Sequence, residues 1–212
     1  MLGHWLFNGK TIGSLGGGAQ PGDPSDWIDQ IDPLTAKRFY SCVLTGGQDG
    51  LDDIRLPLSS WQATIQTGRA HYVQAVVPNV LPYVDEITDR PNGDIVIFGS
   101  VLMTDGTREE VELARAPLGD PRFQIGPRRD TATLSGYRPR EDNDPVDTAR
   151  IMRAPRMIGF GGGGTRFRAT IDWALRPGMK AIAQGVEIDV AYINFYVTPM
   201  EEYMDVGDRA DG

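Results

Sequence analysis

Apolar and polar positions alternate along most of this chain with a period of two. The clearest stretch runs from Gly93 to Arg115. Ile95, Val96, Ile97, Phe98, Val101, Leu102 and Met103 are β-branched, aromatic or bulky, and Asp105-Gly106 separates them from a charged run. The pattern predicts two strands joined by a short turn. A three-residue loop, Thr104-Asp105-Gly106, gives Gly106 the left-handed position such loops favour and sets Ile97 opposite Leu113 and Gly99 opposite Val111. A two-residue loop at Asp105-Gly106 sets Ile97 opposite Ala114 and Met103 opposite Arg108. The first register gathers more apolar surface on one face and is preferred. Nothing in this hairpin is chemically reactive.

Strands are also predicted over Arg38–Leu44, over an extended segment Ile54–Ile65 that Pro57 restricts to an edge or bulge, and over Arg69–Val77. In the last, His71, Val73, Ala75 and Val77 share one side, with Tyr72, Gln74 and Val76 on the other. Val80–Asp89 reads as a short helix or irregular crossover, closed by the turn Arg90-Pro91-Asn92-Gly93. Ala116–Gly126 is punctuated by Pro117, Gly119, Pro121 and Gly126. Beyond it, Thr131–Tyr137 is a strand, and Ala149–Phe160 with Thr165–Ile171 forms a second hairpin around Gly161–Gly164. Met179–Ala183, Val186–Val197 and Tyr203–Val206 follow, with turns at Arg176-Pro177-Gly178 and Gln184-Gly185. Many short strands with few helical patterns make an all-β fold, a β-sandwich or β-barrel built from hairpins.

The expected division is an N-terminal arm over 1–37, a first β module over 38–137, a linker or long loop over 138–148, and a second β module over 149–212. Glycine and proline crowd residues 1–24 behind Trp5, Leu6 and Phe7. That composition reads as an extended arm pinned at its aromatic end, or as a disordered tail. Ser25 or Asp26 could start a short helix ended by Pro33.

The 212 residues are 40% hydrophobic and 24% charged, a soluble globular composition. A net charge of −8 argues against a general phosphate-binding surface, although Arg122, Arg128 and Arg129 cluster, as do Arg150, Arg153 and Arg156. Cys42, the one cysteine, precludes an internal disulfide and reads as a buried structural thiol. No apolar run reaches membrane-span length, and no signal-peptide pattern opens the chain, so it is expected to be made and folded in the cytoplasm or to travel by a route without such a signal.

Candidate chemistry is sparse. His4 and His71 have no Cys or His at ligand spacing, and no nucleophile motif joins His71 to Ser59 or Ser60. Gly161–Gly164 lacks the Lys-Ser/Thr pair of a phosphate loop and joins two strands, and Gly13–Gly18 follows no convincing strand, so both read as flexible loops. Asp49, Asp52 and Asp53 lack the pattern of a calcium loop. Glu109, Glu110 and Glu112 fit an exposed face or an acidic channel wall. No catalytic residue, metal ligand or cofactor site is predicted.

The ordered pieces Phe39-Tyr40, Leu44-Thr45-Gly46, Asp49-Gly50 and Leu56-Pro57-Leu58-Ser59-Ser60-Trp61-Gln62-Ala63 carry a resemblance, continued by Tyr72–Pro78. Arg90-Pro91-Asn92-Gly93-Asp94, Leu134-Ser135-Gly136-Tyr137 and Leu175-Arg176-Pro177-Gly178 complete it. Across about 38–198 the chain resembles tail-tip and baseplate structural proteins of non-contractile-tailed, siphovirus-like bacteriophages and gene-transfer particles. The part before Arg38 departs from the pattern.

The resemblance implies a tail-tube- or hub-like fold and a virion structural protein, a baseplate, hub or distal-tail component assembled in the host cytoplasm. Its implied partners are copies of itself in a three- or six-fold ring and neighbouring tail proteins, with no membrane, no sequence-specific nucleic acid and no enzymatic role. Trp5, Leu6 and Phe7 would anchor the arm on a neighbour. A second reading is a carbohydrate- or receptor-binding module with Trp61, Tyr137 and Trp173 as a sugar platform, each of which also fits a core. A cell-wall hydrolase is disfavoured by the scarcity of histidine.

Overall fold

The computed structural model describes residues 37–46, 50–102, 108–127, 129–139, 149–159 and 164–208. It is an all-β fold with one short helix among those residues. The chain opens with β1 (Lys37–Leu44) and β2 (Ile54–Leu56). Pro57, which has no N–H to give a ladder, ends β2. The chain then crosses to another sheet as β3 (Ser60–Gln66) and β4 (His71–Pro78). In β4, His71, Val73, Ala75 and Val77 are buried, as the sequence alternation predicts. A 3-10 turn at Leu81–Tyr83 and a short helix, α1 (Val84–Thr88), lead back to β5 (Asp94–Leu102) and β6 (Arg108–Pro117). The remaining strands are β7 (Arg122–Gly126), β8 (Arg129–Arg138), β9 (Ala149–Ile151), β10 (Arg156–Gly159) and β11 (Arg166–Ala169). They are followed by β12 (Lys180–Ala183), β13 (Val186–Asp189), β14 (Tyr192–Val197) and β15 (Glu202–Gly207).

Three sheets result. Four strands pair in the order β2-β1-β5-β6, eight as β10-β11-β15-β14-β3-β4-β8-β7, and three as β13-β12-β9. Inner-face residues of all three meet in one hydrophobic cluster, including Cys42 and Ile97 of the first sheet, Trp61, Phe195 and Phe167 of the second, and Ala181 of the third. The eight-stranded sheet draws strands from both sides of 138–148. Here β14, from the expected second module, pairs with β3 of the first, Phe195 opposite Ala63. Most of 138–148 lies outside the described residues, as do the arm over 1–36, the loop Thr104-Asp105-Gly106 and Gly161–Gly163.

The central hairpin holds both registers weighed from the sequence. Near the turn, Gly99 faces Val111 and Leu102 faces Arg108; beyond it, Ile97 faces Ala114. Leu113 is the extra residue of a bulge between them. The bulge reverses the pleat, so Val111 and Leu113 on one side of it and Ala114 and Ala116 on the other are all buried. An unbroken strand would have turned one pair to solvent.

The extended segment expected over Ile54–Ile65 is thus two strands in different sheets, and three further element readings change. Arg122–Gly126 is a strand, despite its flanking prolines and glycines, because it is a sheet edge where such residues are tolerated. The second hairpin consists of β10 and β11 alone. Its expected first part, β9, pairs in parallel with β12. The run Val186–Val197 breaks at Val190-Ala191, where the chain changes sheets: Val190 N–H donates to Met179 O at 2.8 Å and Ala191 N–H to Gly207 O at 2.8 Å. Gln184 and Gly185 turn β12 into β13 with φ of 51° and 79°, the positive pair a tight hairpin turn requires.

Candidate functional site

Strand parity decides where the sequence-predicted aromatics go. Trp61 shares its side of β3 with Ala63 and Ile65 and is 3% exposed; Trp173 is also 3% exposed. Both lie against Tyr40, with ring centroids 5.4 and 6.0 Å away. Tyr137 shares its side of β8 with Ser135 and Thr133, and is 69% exposed. The three therefore form no common platform: the tryptophans are core and Tyr137 faces outward. Trp5, Leu6 and Phe7 lie outside the described residues.

Tyr40 ties this aromatic cluster to the rim. Its hydroxyl donates to Glu202 Oε2 at 2.9 Å. Burial, reinforced by the Glu202 charge, pushes the phenol well above its ordinary pKa. Arg38 sits 5.6 Å over the Trp173 ring and donates to Ile171 O at 3.1 Å. This assembly is a clamp between β1 and the start of β15, with no nucleophile in it.

The other candidates have structural roles. His71 is buried on the inner face of β4, five residues from Val76, which pairs with Ser60. At strand rise that separation is about 17 Å, so no triad with the serines assembles. Burial raises the Cys42 thiol to about 12. Asp53 accepts from Gly46 N–H at 3.0 Å, and Asp52 gives its main-chain oxygen to Arg90 at 2.9 Å; Asp49 lies outside the described residues. Arg90, only 7% exposed, also donates to Glu86 O at 2.6 Å and so ties α1 to the loop before β2.

Glu110 and Glu112 of β6 are held in ion pairs, and Glu109 beside them is exposed. Glu110 receives both arms of Arg55 at 3.0 and 3.1 Å and the Ser100 hydroxyl at 3.2 Å. Burial raises its carboxyl, but the Arg55 contacts, Ser100 and Arg108 outweigh that and hold it below the usual range. Glu112 pairs with Arg115 at 2.7 Å. Arg150, from the second arginine group, bonds Asp172 at 2.8 Å in a largely buried pair. Among the described residues, no group of three or more His, Cys, Asp or Glu is placed to hold a metal ion, and no helix is long and apolar enough to cross a membrane.

Two surfaces remain, and the sequence pointed to them only through Tyr137 of the second. The first is the pair of edges of the eight-stranded sheet, β7 and β10. Ile125 on β7 is 58% exposed, and Met157 and Ile158 on β10 are 39% and 43% exposed.

The second is the outward face of that sheet, made by Ser60, Gln62 and Thr64 of β3, Tyr72 and Gln74 of β4, and Ser135 and Tyr137 of β8. Gln74 Oε1 accepts from Gln62 Nε2 and from the Tyr72 hydroxyl, both at 2.7 Å. Tyr72 and Tyr137 rings lie 4.9 Å apart, and Tyr196 stacks on Tyr203 at 5.1 Å. The available signal was the charge-free outward register of β3 and β4, in a chain that is 24% charged.

No protein-family model matches the sequence, and no curated protein does. Among solved structures, the chain is similar to the E. coli protein c3393, a component of the type VI secretion system described as structurally similar to T4 bacteriophage tail proteins gp27 and gp5. That likeness has a TM-score of 0.49 at 5% identity, over 78% of this chain and 75% of that one. It is also similar to the tail protein from Neisseria meningitidis MC58, with a TM-score of 0.47 at 6% identity, over 80% and 95% of the two chains. At such identities neither likeness carries a residue-to-residue correspondence.

Proposed function

We propose that this chain is a virion structural protein of a bacteriophage-type tail, a baseplate hub or distal-tail component that closes into a three- or six-fold ring at the tail tip. The sequence resemblance over about 38–198 supports the class of protein. The observation that carries the assembly is the open eight-stranded sheet. Its two terminal strands, β7 and β10, are each paired on one side only among the described residues, and both expose large apolar side chains.

An unpaired edge presents a row of main-chain donors and acceptors and is a template for another chain. Opposite edges of one sheet are different surfaces, so joining β7 of one copy to β10 of the next is a head-to-tail contact. Such a contact closes into a ring when the rotation per subunit divides a full turn. The function is mechanical: a rigid sandwich supplies the wall, and edges join the copies. The segment with Trp5, Leu6 and Phe7 is proposed to anchor on a neighbouring subunit and order on assembly.

Light scattering of the purified chain across concentration tests this. A discrete trimer or hexamer is expected. Ile125→Lys and Ile158→Glu should each shift the mass to that of a monomer with an unchanged circular dichroism spectrum. Removal of residues 1–24 should weaken the ring and leave the monomer folded. A wild-type chain that stays monomeric at every concentration, or edge variants that assemble normally, would overturn edge-driven closure.

A further inference from the structure

We propose that the outward face of the eight-stranded sheet is a binding surface for a neutral glycan, centred on Gln62, Gln74, Tyr72 and Tyr137. This does not rest on ring assembly, which uses the edges of the same sheet.

The hydrogen bonds fix what the face offers. Gln74 Oε1 already accepts from Gln62 Nε2 and from the Tyr72 hydroxyl. The groups left over are the Gln74 amide nitrogen, a donor, and Gln62 Oε1, an acceptor, on adjacent strands. A sugar hydroxyl donates and accepts, and so fits between such a pair. Beside them lies a depression of about 150 Å³ walled by Ser60, Gln62, Gln74, Val76, Tyr196 and Thr198. A second depression of about 490 Å³ adjoins it through the shared Ser60 and Val76, and runs to Thr131, Thr133 and Gln124. Together they cross β14, β3, β4, β8 and β7 in sheet order. Four strand spacings make that trough about 19 Å long, enough for a short oligosaccharide.

Charge and apolarity select the ligand class. Arg168, over the Tyr203 ring at 3.7 Å, is held in a two-point ion pair with Asp205 at 2.8 and 2.9 Å, and the charged residue lining the two depressions is Asp130, so among the described residues the trough lining holds no cluster of cations for a polyanion. A protein interface has an apolar centre. Here the exposed large aliphatic side chains of the sheet stand on its edges, at Ile125, Met157 and Ile158, away from the trough. What the trough provides is the Tyr196 ring, amides, hydroxyls and the Asp130 carboxylate, with Tyr72 bonded to Gln74 at its side and Tyr137 packed on Tyr72. An aromatic ring packs on the apolar C–H side of a sugar, and amides take its hydroxyls.

The test is a screen of the full-length protein on an array of neutral and acidic glycans, followed by calorimetric titration of the strongest neutral binder. Binding to a neutral glycan is expected, with Tyr137→Ala and Gln74→Ala each weakening it about tenfold. Tyr137 is on the surface, so Tyr137→Ala should leave the melting temperature unchanged and separates lost contact from lost fold. Ile125→Lys should leave glycan binding intact while it disrupts assembly, so failure of one proposal is distinguishable from failure of the other. No neutral binder, binding of acidic glycans only, or affinity indifferent to both face variants would each overturn the proposal.

Discussion

The indole of Trp173 lies directly on Gly99. A Cβ at that position would stand 2.8 Å from Trp173 Cε2, 2.9 Å from Cζ2 and 3.0 Å from Leu113 Cδ1. Gly99 thus makes room on a central strand for a tryptophan from a distant loop, and the Leu113 bulge completes the other wall.

Gly99→Ala should therefore overpack the core and cost about 1–3 kcal/mol. The expected result is a lower urea midpoint with an unchanged denaturant slope, since the surface exposed on unfolding stays the same. A stability equal to wild type would mean that the indole moves aside without loss.

The tryptophans and Tyr137 should separate cleanly in stability. Trp61→Ala empties a buried site against Tyr40 and Phe195 and should cost about 3–5 kcal/mol. Tyr137→Ala removes an exposed ring and should stay within about 0.5 kcal/mol of wild type. Thermal melts of the two variants side by side provide the comparison.

Acid should weaken the four-stranded sheet through Glu110. Its carboxyl is held below the usual range by Arg55, Ser100 and Arg108 despite the opposing effect of burial. A depressed carboxylate binds its proton more readily when unfolded. Its stabilisation is therefore fully present above glutamate's ordinary pKa, ~4.3, and is lost as pH falls through the lower folded value. Stability curves of wild type and Glu110→Gln should be furthest apart near neutral pH and converge below pH ~4. A constant gap across that range would assign the effect to shape instead of charge.

Cys42 should be inert in the folded chain. Burial raises its thiol to about 12, so the reactive thiolate is scarce at neutral pH as well as shielded. Labelling with a thiol-specific disulfide reagent should be negligible in buffer and rapid and complete in denaturant. Fast labelling without denaturant would indicate local opening around β1.

The candidate surfaces were legible to different degrees. The outward set Tyr72 and Gln74 could be read from β4, because a strand's parity follows from its residues alone. The importance of that set could not, since it depends on Gln62 and Tyr137 arriving from two other strands. The arginines were least legible. Arg55 carries no signal in the sequence and Arg90 reads only as part of a turn, yet one clamps Glu110 and the other is buried among main-chain carbonyls.

By itself the sequence determined an all-β chain, the two sides of β4, the turns at Arg90–Gly93 and Gln184-Gly185, and the absence of a catalytic motif. These are local properties: period-two alternation, a missing proline N–H, a positive φ. Tertiary structure alone decided that β14 lies beside β3, that β9 leaves its expected hairpin for β12, that Leu113 bulges, and which aromatics are core. Alternation separates the two faces of a strand but specifies neither its partner nor, for amphipathic residues such as Trp61 and Tyr137, which face turns inward. Those choices follow from burying the apolar faces of three sheets in one shared core, a condition that no single segment can satisfy alone.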